Sequence, residues 1–165
     1  MSKVRNNYAI YKEHGVDLFY DWEKYLYEAA LEDPKEKEEL IRLFEEEQNS
    51  GDKVTLASIL ARLGDDRVIP FLIEACEKLV YGCSGAAFAL LRLNYPDTKR
   101  LFIRLLDDPE LPRHWIHDSL YRLNTPLTNE ILDELIQRDE GIKLSIEAMK
   151  KDPETYAREI DDWDW

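Results

Sequence analysis

Basic charge is scarce: 22 lysines and arginines stand against 35 aspartates and glutamates, a net charge of −13. Nonspecific nucleic-acid affinity comes from cations neutralising phosphates, so this balance argues against a general DNA or RNA binder. It equally disfavours docking on an anionic membrane. Cysteine is nearly absent. Cys76 and Cys83 are the only two; they form no CxxC and are too few for a secreted disulfide scaffold. The six glycines and seven prolines serve as punctuation rather than filling long loops. No P-loop, GxGxxG, GxSxG or His-Glu-x-x-His occurs. No apolar run reaches the roughly 18 residues a membrane span needs. The opening Met-Ser-Lys-Val-Arg-Asn-Asn-Tyr lacks the apolar core of a signal peptide, which makes the cytoplasm the expected address.

The composition is otherwise that of a folded protein, 44% hydrophobic and 11% aromatic over 165 residues, and too apolar for disorder. We expect one domain over 1–165, of a length that buries roughly 70% of the surface its unfolded chain exposes. The charge is unevenly spread. Residues 1–52 carry a net −7, residues 53–125 a net +1 and residues 126–165 a net −7. Acidic ends would steer a basic partner toward the molecule, although high negative charge also simply maintains solubility.

An internal repeat decides the fold reading. Leu60-Ala61-Arg62-Leu63-Gly64, Leu90-Leu91-Arg92-Leu93-Asn94 and Leu120-Tyr121-Arg122-Leu123-Asn124 align without gaps at a spacing of 30. The alignment extends upstream through Leu56, Ala86 and Ile116. Downstream it runs through Phe71, Leu101 and Ile131, then Leu72, Phe102 and Leu132, then Ala75, Leu105 and Leu135, then Cys76, Leu106 and Ile136. Leu56, Ile59, Leu60 and Leu63 fall at i, i+3, i+4 and i+7, one face of a helix. Gly or Asn in the fifth position tolerates the left-handed conformation that ends helices. Asp66, Pro96 and Pro126 then suit the start of the next helix. Each unit reads as helix, tight turn, helix.

The ends vary this unit, as terminal repeats do, with irregular caps over about 1–52 and 141–165. Asp17 reads as the cap of a helix reaching Glu32, and Asp33-Pro34 opens another carrying Leu40, Ile41, Leu43 and Phe44. Residues 141–150 and 153–160 read as a shorter pair broken at Asp152-Pro153. Asn49-Ser50-Gly51-Asp52 reads as the one longer loop. The N-terminal aromatics Tyr8, Tyr11, Phe19, Tyr20, Trp22, Tyr25 and Tyr27 are expected to cap that end. The expected fold is all-α, a right-handed α-solenoid (α-α superhelix) of four to five helix pairs.

The run Leu60-Ala61-Arg62-Leu63-Gly64-Asp65-Asp66-Arg67-Val68-Ile69-Pro70-Phe71-Leu72 resembles the consensus of short HEAT repeats of the phycobilisome-lyase type, and the resemblance covers residues 53–138. It implies an armadillo-like stack whose second helices line the concave surface. Members of that family include chromophore lyases, protein-lysine hydroxylases and adaptors. The arginine usual in the family's first helix is missing where Ser84-Gly85-Ala86-Ala87 stands, and so are the His-Glu pairs of the hydroxylases.

Candidates for chemistry are few. His114, His117 and Asp118 could share a helix face as one weak metal site, but His117 falls in the column of Ala57 and Ala87, which points to a structural role. Cys83 opens a helix whose N-terminus could activate a thiolate, yet no matched base and oxyanion donor accompany it. Cys76 lies in a core column. No catalytic residue, metal ligand or cofactor is assigned. Arg62, Arg92 and Arg122 read either as a basic ladder or, more simply, as cations complementing helix C-termini.

The exposed face of the second helices should carry Pro70, Glu74 and Glu77, then Arg100, Arg104 and Asp107, then Glu130, Glu134 and Gln137. Such a sequence of charges fixes orientation better than it adds affinity. Trp163 and Trp165, among Asp161, Asp162 and Asp164, either cap the last helix pair or anchor a partner. The function expected is non-enzymatic binding of another protein with a basic surface, as in a small inhibitor or immunity protein against a basic toxin. The alternative is a lyase or chaperone-like factor acting on a tetrapyrrole or a partner protein, with Cys83, His114 and His117 as its reactive groups.

Overall fold

The structure is a computed structural model that describes residues 2–15, 21–107 and 113–155, with residues 113–116 and 119 placed by backbone alone. Among the described residues there are ten α-helices and no strand. They are α1 (Lys3–His14), α2 (Trp22–Glu32), α3 (Pro34–Glu46), α4 (Ser50–Arg62), α5 (Ile69–Glu77), α6 (Cys83–Arg92), α7 (Thr98–Asp107), α8 (Arg113–Leu123), α9 (Pro126–Arg138) and α10 (Glu140–Lys151). They group into two compact units, Met1–Tyr95 and Pro96–Trp165.

Helices in the first unit pack on neighbours one or two places along the chain. There α1 meets α2 and α3, α2 meets α3 and α4, and α4 meets α5 and α6, while α3 also packs on α4 and α5 on α6. In the second unit α7 packs on α9, α8 on α9 and α10, and α9 on α10. Such local packing follows from short connections, which hold consecutive amphipathic helices side by side.

Residues thirty positions apart share local structure. Gly64, Asn94 and Asn124 all adopt left-handed backbone, with φ of 71°, 52° and 47°. The Asp65 and Tyr95 amides donate back to Leu60 and Leu90 carbonyls at 3.0 Å, and the Gly64 and Asn94 amides to Ala61 and Leu91 at 3.0 Å. These paired bonds satisfy the last carbonyls of α4 and α6. Leu60, Leu90 and Leu120 are buried, as are Leu72, Phe102 and Leu132, and Ala75, Leu105 and Leu135. A further buried column, Val68, Thr98 and Thr128, mixes polar and apolar residues and so escapes a hydrophobicity pattern. Thr128 justifies its burial by bonding: it forms a reciprocal capping box with Thr125 at the start of α9.

Gly64 gives a clean measure of the turn. Nothing lies within 4 Å of where its Cβ would sit, so a side chain there meets a backbone cost alone. Gly64→Ala is expected to destabilise the protein by about 1 kcal/mol, with Gly64→Asn falling between. Urea titration of the three proteins checks the order.

Several boundaries differ from the sequence reading. The N-terminal cap is itself a helix, α1. The Asn49-Ser50-Gly51-Asp52 stretch is not a loop: Asn49 caps α4, its side chain accepting the Asp52 amide at 3.0 Å, because the residues that favour loops also favour the cap position. The chain after Gly64 first makes a single 3-10 turn, Asp66–Val68, before α5 begins, and α7 starts at Thr98 rather than at Pro96. The expected helix over 141–150 is found as α10. The expected cap at Asp17 and most of the helix over 153–160 lie outside the described residues.

Candidate functional site

All but one of the second-helix residues singled out by periodicity are exposed. In the first unit Pro70, Glu74 and Glu77 are exposed along α5, and Glu74 pairs with Lys78 one turn on. In the second unit Arg100, Arg104 and Asp107 are exposed on α7, and Glu130 and Gln137 on α9, with Glu134 half-buried. Packing of α7 on α9 answers part of this charge within the unit. The Lys99 ammonium lies 2.9 Å from both Glu130 and Glu134, and these two carboxylates raise the Lys99 pKa. Arg138 approaches Asp107 at 3.7 Å, and Arg100 approaches Asp97 at 3.7 Å. Exposed pairs of this kind are screened by solvent and add little to stability.

The reactive-residue candidates are placed for packing instead. Cys83 is 2% exposed and Cys76 1% exposed, and the Cys76 thiol contacts the Cys83 carbonyl at 3.4 Å. Burial pushes the Cys76 thiol up to about 12, far from the thiolate that nucleophilic chemistry needs. His117 is buried and shares a hydrogen bond of 3.1 Å with the Ser145 hydroxyl, tying α8 to α10. His14 is far from it in the chain, at the end of α1, and the His114 side chain lies outside the described residues. Among the described residues no group of three or more His, Cys, Asp or Glu side chains is placed to hold a metal ion.

Arg62, Arg92 and Arg122 occupy the last turns of α4, α6 and α8, where a cation complements the helix dipole. Arg122 lies 3.6 Å from Asp118 and donates to the Thr155 carbonyl at 3.3 Å; Arg62 and Arg92 are engaged by neighbours as well. Trp163 and Trp165 lie outside the described residues.

Sequence reasoning missed a charge network that joins α1 to α3 and to the start of α4. Arg5 reaches Glu39 at 2.6 Å and Glu46 at 3.0 Å, and Lys12 reaches Asp52 at 2.6 Å and Glu47 at 3.2 Å. The Tyr8 hydroxyl donates to Glu47, and the Tyr11 hydroxyl to Asp52 at 2.7 Å. The Glu36 carboxylate accepts the first amides of α1, Lys3 at 3.0 Å and Val4 at 2.9 Å, the anion position that a helix N-terminus favours. Glu47 also accepts the Gln48 and Asn49 amides. Burial works against its ionisation, but the Tyr8 hydroxyl, the Asn49 amide and Lys12 together bring it down to about 2. The signal was present in the spacing. Arg5, Tyr8 and Lys12 recur at i, i+3 and i+7, one helix face.

Asp65, read only as part of the repeat consensus, is a buried carboxylate. The Arg67 guanidinium grips it with bonds of 2.8 and 2.6 Å, and Lys37 of α3 lies 3.3 Å away. Arg67 is the main reason the Asp65 carboxyl falls to about 2.

We find no match between this chain and a family model, a curated protein or a solved structure.

Proposed function

We propose that this chain is a non-enzymatic protein-binding module whose second helices present a charge-patterned, largely acidic face to a partner with a basic surface. In this reading the helix pairs are HEAT-like repeats in a right-handed α-solenoid, and the second helices line its concave side. An inhibitor or immunity protein that neutralises a basic toxin is the concrete form, acting in the cytoplasm. The observation that carries it is the exposure of Glu74 and Glu77 on α5, of Arg100, Arg104 and Asp107 on α7, and of Glu130 on α9, while Cys76, Cys83 and His117 are buried. Opposed charges across an interface steer encounter and reject wrong partners. The lyase-like reading draws no support from this placement, because its reactive candidates with described side chains are buried.

Charge reversal tests the proposal. The unaltered protein, used as bait in native lysate, is expected to recover a stoichiometric protein of basic pI. The Glu74→Lys/Glu77→Lys and Glu130→Lys/Glu134→Lys variants are expected to lose at least ten-fold of that recovery while keeping their helical circular dichroism. Equal recovery by the folded variants, or no stoichiometric basic protein from the unaltered bait, would sink the reading.

A further inference from the structure

One turn of the first unit holds apolar side chains out to solvent. The connection from α5 to α6 closes as the ends of α4 and α6 do: the Leu79 amide donates to the Cys76 carbonyl at 3.3 Å, and the Val80 amide to the Ala75 carbonyl at 3.2 Å. The residue in its left-handed position differs. Gly64, Asn94 and Asn124 take that position elsewhere, whereas here it is Leu79, with φ of 51°. A Cβ makes the conformation costly, and Leu79, 39% exposed, recovers only part of the cost by burial. Two residues on, Tyr81 is 86% exposed. Its ring rests against Gly51 in the first turn of α4, so near that a Cβ there would lie 2.8 Å from the Tyr81 Cδ1. Tyr8, Tyr11, Tyr25, Tyr27, Tyr95 and Tyr121 each have a hydrogen-bonding, ring or electrostatic partner. Tyr81 has no such partner among the described residues. Other rings of the unit carry cations of the chain itself, Lys12 over Tyr8 at 5.7 Å and Lys53 over Phe44 at 5.1 Å.

We propose that this turn is where a basic partner protein seats an arginine, its guanidinium on the ring of Tyr81 and its methylenes against Leu79. The inference rests on the protein-binding reading and deepens it, adding an apolar anchor to the face that carries Glu74 and Glu77. Charge complementarity selects a cation. Glu77 closes α5 just ahead of the turn, and Lys78, the cation within the turn, is paired to Glu74. The ring then selects arginine over lysine. A guanidinium is planar and weakly hydrated, so it stacks on an aromatic face, while a compact ammonium holds its water. The arginine stem is apolar and covers surface such as that of Leu79. A ring already seated on Gly51 loses little freedom when a partner closes over it, and anchors of this kind carry much of an interface's energy.

The probe is a fluorescent peptide alternating glycine and arginine, compared with the same peptide carrying lysine, and the full chain is titrated into each at low salt. The arginine peptide is expected to bind about three-fold tighter than its lysine counterpart, the margin a cation–π contact at an exposed site supplies. Tyr81→Ala is expected to remove that preference, and Tyr81→Phe, which restores a ring, to restore it. Tyr81 is exposed, so these variants keep their helical circular dichroism. Glu74→Lys/Glu77→Lys is expected to weaken both peptides and leave their ratio intact. Equal binding of the two peptides by the unaltered chain, no binding of either, or a preference that survives Tyr81→Ala overturns the proposal. The two readings fail separately. Partner capture that depends on the α5 and α9 carboxylates, with no arginine preference, sinks the anchor alone; a preference tied to Tyr81, with no basic protein captured from lysate, sinks the earlier reading alone.

Discussion

Leu90→Ala is expected to lower the stability of the protein by about 2–5 kcal/mol, the range for truncating a leucine in a core that cannot close around the cavity. Leu90 is fully buried, in the last turn of α6. The remaining neighbours keep their places because α4 and α5 both pack on that helix. Natural domains have only about 5–15 kcal/mol in hand, so the variant sits near the edge of folding at physiological temperature. The equivalent changes at Leu60 and Leu120 are expected to cost the same order, since both occupy the same column and are equally buried. Leu93, three residues on, supplies the control. It is half-buried at the end of α6, and its truncation is expected to cost less than half as much. Urea titration followed by circular dichroism measures all four. A Leu90→Ala protein that loses less than Leu93→Ala would mean that the thirty-residue column does not mark the core.

That column explains how much of the fold was legible in advance. A repeat offers three chances to see each position, so accidental leucines average out while Leu60, Leu90 and Leu120 reinforce one another. The same redundancy exposed the left-handed turn, because only glycine and asparagine appear at 64, 94 and 124. Where the chain departs from the repeat this help vanished. The helix α1 was hidden because its face combines Arg5, Tyr8 and Lys12 with a single buried valine, and hydrophobic periodicity does not register a helix held by charge. The column of Val68, Thr98 and Thr128 was hidden because burying threonine depends on a hydrogen bond that a composition pattern does not encode.

The candidate surface was legible in one respect only. Periodicity told which charged residues of α5, α7 and α9 would face solvent, because any residue opposite a leucine face must. It could not tell which of them would be answered internally. Lys99 lies beside Glu130 and Glu134 across 31 and 35 residues of chain, and Arg138 beside Asp107; these meetings depend on how α7 packs on α9. Likewise the strong acidity of residues 1–52 read as a lure for an external cation, whereas α1 supplies several of the cations.

Lowering the pH from 5 to 2 is expected to destabilise the first unit by a few kcal/mol. Glu47 falls from 4.5 to about 2 and Asp65 from 3.8 to about 2 in the folded protein. For both groups the folded value lies below the unfolded one, so the unfolded chain binds protons first as the solution is acidified. Their stabilisation is therefore fully present above about pH 4.5 and is lost as the pH falls toward 2. Each depressed carboxylate contributes on the order of 2 kcal/mol, given roughly 1.4 kcal/mol per pH unit of displacement. An opposing effect acts earlier. With a net charge of −13, the first protons taken up relieve self-repulsion, which favours the folded state. The two together predict a stability maximum near pH 5 with a steep acid side. Glu47→Gln and Asp65→Asn combined are expected to flatten that side while lowering stability at pH 7, because the amides cannot replace the charge that Lys12, Lys37 and Arg67 face. Urea midpoints collected between pH 7 and pH 2 decide the matter. A double variant that keeps the full acid slope would mean that other carboxylates, and not the pair gripped by α1 and Arg67, control the response to acid.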